Sequence, residues 1–183
     1  MGNLASDVIG GFNQFLADQK KLKGKAYLTV VLFDDKYEVL MKDVEIQDVK
    51  PLTEREYFVR GTTALLDAVG KTVTTVKADS KKRDKVLVFI NTDGFENASV
   101  EYDNKKVKEV VEDAKKLGWN FVFLGANIDS FSVGGAMGIT VTSNYTASAI
   151  GTRSVYDTTS NLVASYRANP SKTVTNEDLN TVQ

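Results

Sequence analysis

Cysteine and histidine are both absent from this chain of 183 residues. Without cysteine, the chain has no disulfide framework, no thiolate zinc site and no thiol nucleophile. Without histidine, it lacks the usual general base near neutral pH and the commonest ligand of zinc, copper and non-haem iron. Any bound metal is therefore expected to be a hard cation held by oxygen atoms.

An excess of one charge and long apolar runs are lacking as well. Lys and Arg number 23 against 24 Asp and Glu, so the net charge of −1 creates no long-range field for nucleic acid or anionic lipid. No apolar stretch reaches membrane-spanning length, and the first residues lack the features of a signal peptide. We expect a cytoplasmic protein that binds neither nucleic acid nor membranes.

The chain does have the size and composition of one ordinary domain. Hydrophobic residues make up 42% and charged residues 26%, and this length is sufficient to bury well over half of the unfolded surface. We predict one domain over residues 1–169. Pro170 ends the last long helix and leaves a polar C-terminal tail over 170–183.

Helical and strand-like segments alternate along the chain. Apolar residues at helical spacing predict helices over 4–23, 62–83, 104–117 and 147–168, the second with Thr62 as its N-cap. Short apolar runs predict strands over 26–33, 37–41, 85–92, 121–124 and 140–142. A glycine-rich segment, 132–138, precedes the last strand. We therefore predict an α/β fold with a doubly wound, mostly parallel sheet and one antiparallel edge strand.

Two loops bring oxygen donors to the ends of these elements. The strand over 85–92 runs into Asp93-Gly94, and Thr63 lies in the loop that opens the second helix. An acidic residue after a buried parallel strand lies at the carboxyl edge of the sheet, where open α/β folds bind ligands. We expect the Thr63 hydroxyl and the Asp93 carboxylate to meet there as part of a metal site.

Other acidic residues are weaker candidates for the same site. Asp34 and Asp35 follow the first strand of the hairpin, and Asp129 follows the strand over 121–124. Each also has a structural interpretation, because Asp residues commonly form turns and solvated loops. An Asp-Gly pair such as 93–94 is itself commonly a turn.

A more specific signal lies in two longer segments of the chain. They read Gly61-Thr62-Thr63-Ala64-Leu65-Leu66-Asp67-Ala68 and Thr92-Asp93-Gly94-Phe95-Glu96-Asn97-Ala98-Ser99. These segments, and the order of elements over nearly the whole length, resemble the von Willebrand factor A family, in the compact type seen in bacterial and phage proteins. The resemblance implies a metal-ion-dependent adhesion site, in which Thr63 and Asp93 match two of the three ligand-bearing loops.

The third loop of that family, Asp-x-Ser-x-Ser after a central first strand, is absent. The resemblance places the absent strand between segments 26–33 and 85–92. Because a buried unsatisfied polar group costs roughly 1–3 kcal/mol, the two neighbours cannot keep their edges buried and unpaired. We expect direct pairing of the neighbours, a segment swapped from a second copy in a homo-oligomer, a strand donated by a partner, or residues missing before Met1, the explanation that we favour.

The small number of oxygen ligands limits the metal binding that we expect. Mg²⁺ requires a near-octahedral shell of oxygens, of which Thr63 and Asp93 supply a minor part, so we predict weak binding of Mg²⁺ or Mn²⁺. The resemblance implies that a bound metal would accept a carboxylate from a protein partner.

Three functional interpretations follow. The preferred one is a non-catalytic protein-binding module with a partial metal site. The alternatives are a Mg²⁺-dependent phosphoryl-transfer enzyme that uses Asp93 with Asp129 or Asp34, and a structural homologue without metal binding.

Overall fold

The computed structural model describes residues 4–57, 61–80 and 84–180, which form an α/β fold with two sheets. The helices in these ranges are α1 (Ala5–Lys21), α2 (Leu65–Asp79), α3 (Asn104–Lys116), α4 (Ser130–Ala136), α5 (Ala149–Ala168) and α6 (Glu177–Asn180). The strands are β1 (Tyr27–Phe33), β2 (Tyr37–Glu45), β3 (Leu87–Thr92), β4 (Asn120–Ala126) and β5 (Thr142–Tyr145). The predicted α/β class is confirmed.

The first sheet is the predicted hairpin. β1 and β2 pair antiparallel, with Phe33 opposite Tyr37, and the Lys36 N–H donates to Asp34 Oδ1 over 2.6 Å in the turn. β2 is longer than predicted, because its pairing with β1 continues to Glu45. The predicted antiparallel hairpin is therefore present, but it forms a sheet of its own and is not the edge of the parallel sheet.

The second sheet consists of β3, β4 and β5 in parallel. β4 lies in the middle, with Leu87 of β3 opposite Asn120 and Phe123 opposite Thr142 of β5. Within the described ranges, β1 and β3 do not pair with each other, so the strands form two sheets. Direct pairing of these neighbours, one of the expected ways to close the gap, is thus not seen there.

Helices cover both faces of the parallel sheet. Phe121 and Phe123 of β4 pack in a cluster with residues of α2 and α3, whereas Val122 and Leu124 pack against residues of α5. Because successive strand residues point to opposite faces, α2 and α3 cover one face and α5 covers the other. α1 packs along α5 and also contributes to the core beneath the hairpin.

The N-terminus of α2 differs from the prediction that Thr62 is its N-cap. The helix begins at Leu65, and its N-cap residue Ala64 provides no side-chain hydrogen bond. Acceptors from a distant loop take that role, since the Leu66 N–H donates to Glu96 and the Asp67 N–H donates to Ser99 Oγ. The basic segment 81–83, predicted to end this helix, lies outside the described residues.

The glycine-rich segment contains a short helix that the sequence did not indicate. α4 covers Ser130–Ala136, and Asp129 caps it by accepting the Ser132 N–H over 3.1 Å. Gly134 packs closely against Thr142, where an added side chain would collide. The last strand begins at Thr142, later than the predicted start at residue 140.

Residues after Pro170 pack against the domain. Val174 and Leu179 are buried in the same cluster as Leu162 of α5. The Val174 N–H donates to Asn120 Oδ1 over 2.9 Å, which fixes the segment beside the start of β4. The segment predicted to be a polar tail thus contains α6 and two core residues.

Candidate functional site

The loop after β3 and the loop before α2 are bound to each other. The Thr63 N–H donates to Asn97 Oδ1 over 2.9 Å, and the Asn97 N–H donates to the Thr63 carbonyl over 3.0 Å. This reciprocal pair fixes both loops at the carboxyl edge of the parallel sheet.

Thr63 and the Asp93-Gly94 turn are in direct contact. A Cβ atom added at Gly94 would collide with Thr63 Oγ1, so only glycine permits this approach. Thr63 and Asp93 are both half-buried, and the Gly94 N–H donates to Thr92 Oγ1 over 3.2 Å, which forms the turn after β3. The structure therefore places Gly94, the residue after Asp93, against Thr63, and the meeting of the Asp93 carboxylate with the Thr63 hydroxyl stays a prediction.

The carboxyl end of β1 reaches the same place through the backbone. The Ala64 N–H donates to the Asp34 carbonyl over 2.7 Å, next to Thr63. The Asp34 side chain is half-buried and accepts the Lys36 N–H, whereas Asp35 is exposed. Asp34 thus lies beside the candidate site and also forms the hairpin turn.

Asp129 has a different environment. It is exposed and accepts the N–H and the hydroxyl of Ser132, at 3.1 Å and 2.6 Å, at the start of α4. The Ser132 hydroxyl is the main cause of a lowered pKa of Asp129. These contacts give Asp129 a structural role as the helix N-cap.

Two further acids hold the loop after β3 against α2, and the sequence reasoning missed both. Glu96 accepts N–H groups from Leu66 over 2.9 Å and from Ser99 over 2.8 Å. Asp67, which is buried, accepts the backbone N–H groups of Val100, Glu101 and Tyr102 at 3.1, 2.9 and 2.8 Å. Both acids lie within the two segments that carry the family resemblance, and that was the available signal.

The hydrogen bonds determine the ionisation of these two acids. Burial alone would raise the pKa of Asp67, but the N–H groups of residues 100–102 and the charge of Lys71 outweigh burial and lower it. The pKa of Glu96 is lowered in the same way, because N–H donors and the Ser99 hydroxyl outweigh its burial. Both side chains are therefore anionic groups whose oxygen atoms bind the backbone of the two segments.

Two tyrosines lie near Asp93. Burial, together with the charge of Asp93, raises the pKa of Tyr57 to about 12 and that of Tyr145 to about 12. The Tyr145 hydroxyl donates to Asn91 Oδ1 over 2.8 Å. Both phenols are therefore neutral and can serve as hydrogen-bonding groups at this edge.

Three large apolar side chains are exposed in the segments at the same edge. Phe95, Phe131 and Ile150 are 64%, 76% and 85% exposed. They lie in the segments that follow β3, β4 and β5, whose carboxyl ends meet at one edge because the strands are parallel. These residues could not be recognised from the sequence, since exposure cannot be read from residue type alone.

The oxygen donors present do not fit a tight magnesium site. Thr63 offers one hydroxyl and Asp93 one carboxylate, with Asp34 beside them. In the part of the chain that the structure describes, no group of three or more acidic residues could hold a metal ion. Such a donor set leaves most of an octahedral shell to water.

Comparisons with known proteins gave no relative: no family model, no curated protein and no solved structure matches this chain. Among the described residues, none of the helices combines the length and the apolar character needed to cross a membrane.

Proposed function

We propose that this chain is a non-catalytic protein-binding module that recognises its partner through the carboxyl edge of the parallel sheet. The polar centre of this surface is Thr63 with Asp93, and its apolar surround is Phe95, Phe131 and Ile150. The resemblance of segments 61–68 and 92–99 to the von Willebrand factor A family supports this surface as the binding face.

The observation that carries the proposal is the position of the three exposed apolar residues. A single exposed apolar side chain is ordinary, but several at one edge favour a binding surface. Aromatic residues are also enriched in protein interfaces, where they supply large contact area. Phe95 and Phe131 follow two hydrogen-bonded neighbouring strands, with the polar contact of Thr63 and Gly94 beside them.

Metal assists such binding weakly in this proposal. Mg²⁺ or Mn²⁺ at Thr63 and Asp93 would keep most of its water. A carboxylate of the partner that binds this metal therefore contributes little to the free energy of partner binding. The partner is instead held by apolar contact and by hydrogen bonds to the edge, and no bond is broken.

A comparative capture experiment tests the proposal. Immobilised wild-type chain is compared with the double variant Phe95→Ser/Phe131→Ser in a lysate of the native host cell, with quantitative mass spectrometry as the readout. The control is Leu117→Ser, since Leu117 is 49% exposed and lies at the far end of α3. We expect proteins that wild type and control retain equally and that the double variant loses.

Equal retention of every captured protein by all three baits would contradict the proposal. A second measurement addresses the enzymatic alternative: phosphoester substrates are incubated with the chain and Mg²⁺. Turnover that disappears in Asp93→Ala would replace the binding module with a phosphoryl-transfer enzyme.

A further inference from the structure

A groove of about 1060 Å³ separates the two sheets. Its sides are the facing edges of β1 and β3, since every residue of β1 and of β3 lines it. Its two faces are formed by helices, with α2 on one face and α1 with α5 on the other. The groove is thus a gap within the sheet layer, between the helical layers that cover it.

The strands on the two sides of the groove run in the same direction. β1 ends at Phe33, and the carbonyl of the following Asp34 accepts the Ala64 N–H. β3 ends at Thr92, and the following Gly94 lies against Thr63. Because Thr63 and Ala64 are adjacent, the carboxyl ends of both strands meet at one end of the groove.

The facing edges of β1 and β3 pair with no strand in the ranges that the structure describes, since β1 forms a ladder with β2 and β3 forms one with β4. A strand carries N–H and C=O groups on both edges, and an unpaired edge readily accepts another strand. Two such edges, facing each other across one gap, are complementary to the backbone of an extended peptide.

The side chains that line the faces are mainly apolar on both sides, with several hydroxyl-bearing and charged side chains among them. α2 contributes Val69, Val73 and Val76, and α5 contributes Val155 and Val163. An extended segment in the groove would direct successive side chains alternately to these two faces. Such a segment must therefore be apolar at nearly every position, as strands covered on both faces are.

The burial of the strands shows that the groove is incompletely filled. β4, which has neighbours on both edges, is buried at every position after Asn120. β1 carries the apolar sequence Tyr-Leu-Thr-Val-Val-Leu-Phe, yet none of its residues is buried. In β3, the residues from Leu87 to Phe89 are likewise only half-buried.

We propose that this groove binds one extended, apolar segment of a partner protein, about as long as β3, which hydrogen-bonds to β1 and β3 together and joins the two sheets. This mode of recognition is strand addition, with backbone bonds for affinity and apolar side chains for selectivity. The groove adjoins the edge of the proposed function, because Thr63 and Asp93 also line one end of it, whereas Phe95 and Phe131 do not.

A partner protein is a better source of this segment than a second copy of the chain. The apolar runs of the described residues are already strands within their own sheets, so a second copy would have to give up one of its strands.

Selection from a displayed library of random twelve-residue peptides tests the proposal on the purified chain. We expect enrichment of proline-free peptides with an uninterrupted, β-branched apolar run. The best peptide is then synthesised with a fluorescent label, and its binding is measured by anisotropy. A second form carries N-methyl groups on alternate backbone amides, and we expect it to bind at least tenfold more weakly because it cannot form both ladders.

Matched variants locate the binding. Val76→Arg places a long side chain in the groove from α2, and Thr75→Arg is its control, since Thr75 is exposed and does not line the groove. Val163→Arg places a long side chain in the groove from α5, on the opposite face. This second variant keeps the test valid if Val76→Arg disturbs the folding of α2. We expect at least tenfold weaker binding for both groove variants and unchanged binding for the control, with thermal unfolding used to check that each variant is folded.

Hydrogen exchange provides the direct readout of strand addition. Binding of the peptide should slow exchange in β1 and β3 together. Four results would overturn the proposal: no enrichment of apolar runs, equal binding of the N-methylated form, undiminished binding by both groove variants, or protection of one strand alone. The double variant Phe95→Ser/Phe131→Ser should bind the peptide normally, so the proposed function and this inference can fail independently.

Discussion

β4 and β1 have similar apolar sequences, yet they differ in burial. Phe123 in β4 is fully buried between helices, whereas Val30 and Val31 in β1 are half-buried beside the groove. Both strands have helices on their two faces, and the difference is the number of strand neighbours. The comparison shows that two edge partners, in addition to an apolar sequence, are needed to bury a strand in this fold.

The largest expected effect is a difference between core substitutions in the two regions. Phe123→Ala should lower the free energy of unfolding by about 3–5 kcal/mol, because it leaves a cavity in a fully buried site. Phe89→Ala in β3 should cost much less, because Phe89 is half-buried beside the groove. Urea denaturation of both variants measures the difference. Equal losses of unfolding free energy would show that β3 is packed as tightly as β4.

The second largest effect is expected at the contact between Gly94 and Thr63. Gly94→Ala would push its methyl group into Thr63 Oγ1 and should destabilise the fold by about 1–3 kcal/mol. Gly61→Ala is the control, because a Cβ at Gly61 meets open space. Thermal unfolding should show a lower midpoint for Gly94→Ala alone. A normal midpoint for that variant would mean that the two loops separate without cost.

Acid sensitivity is the third effect, and it arises where the loop after β3 is bound to α2. The folded-state pKa values of Asp67 and Glu96 lie below their ordinary values of 3.8 and 4.5. A lowered pKa contributes stability that is fully present above the unfolded value and is lost as the pH falls through the folded value. Stability should therefore be constant near neutral pH and should fall below about pH 4.

The variant Asp67→Asn distinguishes the acid sensitivity of this loop from that of the rest of the molecule. It should be less stable than wild type at neutral pH by about 1–3 kcal/mol, since the N–H groups of residues 100–102 lose a charged acceptor. Its stability should also depend less on pH between 2 and 5 or so, the range of carboxyl titration. Denaturation at a series of pH values measures both, and parallel pH curves for the two proteins would assign the acid sensitivity elsewhere.

Much of the local structure could be predicted from the sequence where the capping residues, the glycine stops and the apolar spacing agree. α3 is an example: Asp103 caps it by accepting the Lys106 N–H, and Gly118 follows it with φ of +86°. The apolar spacing of Val107 and Val111 places the helix correctly, and both side chains are fully buried. The contact of Thr63 with the Asp93-Gly94 turn also followed, because parallel strands bring their ends to one edge.

Elements that depend on tertiary contacts could not be predicted in this way. α4 forms in a glycine-rich segment, where the Asp129 cap and the burial of Met137 outweigh the low helix propensity. α6 follows a polar segment that is fixed by burial of Val174 and Leu179. Asp67 was missed because its partners are backbone N–H groups more than thirty residues along the chain.

The smallest expected effect concerns metal at the rim of the groove. Thr63 and Asp93 provide two oxygen donors, so calorimetry with Mg²⁺ or Mn²⁺ should give little heat below millimolar concentrations, and Asp93→Ala should change it little. The groove ends at this site. A segment bound in the groove would end beside Asp93 and could add oxygen donors to a metal there. We therefore expect the peptide-bound chain to bind Mn²⁺ more tightly only when the peptide carries a carboxylate after its apolar run. Tight binding by the free chain, lost in Asp93→Ala, would show instead that the site is complete without an occupant.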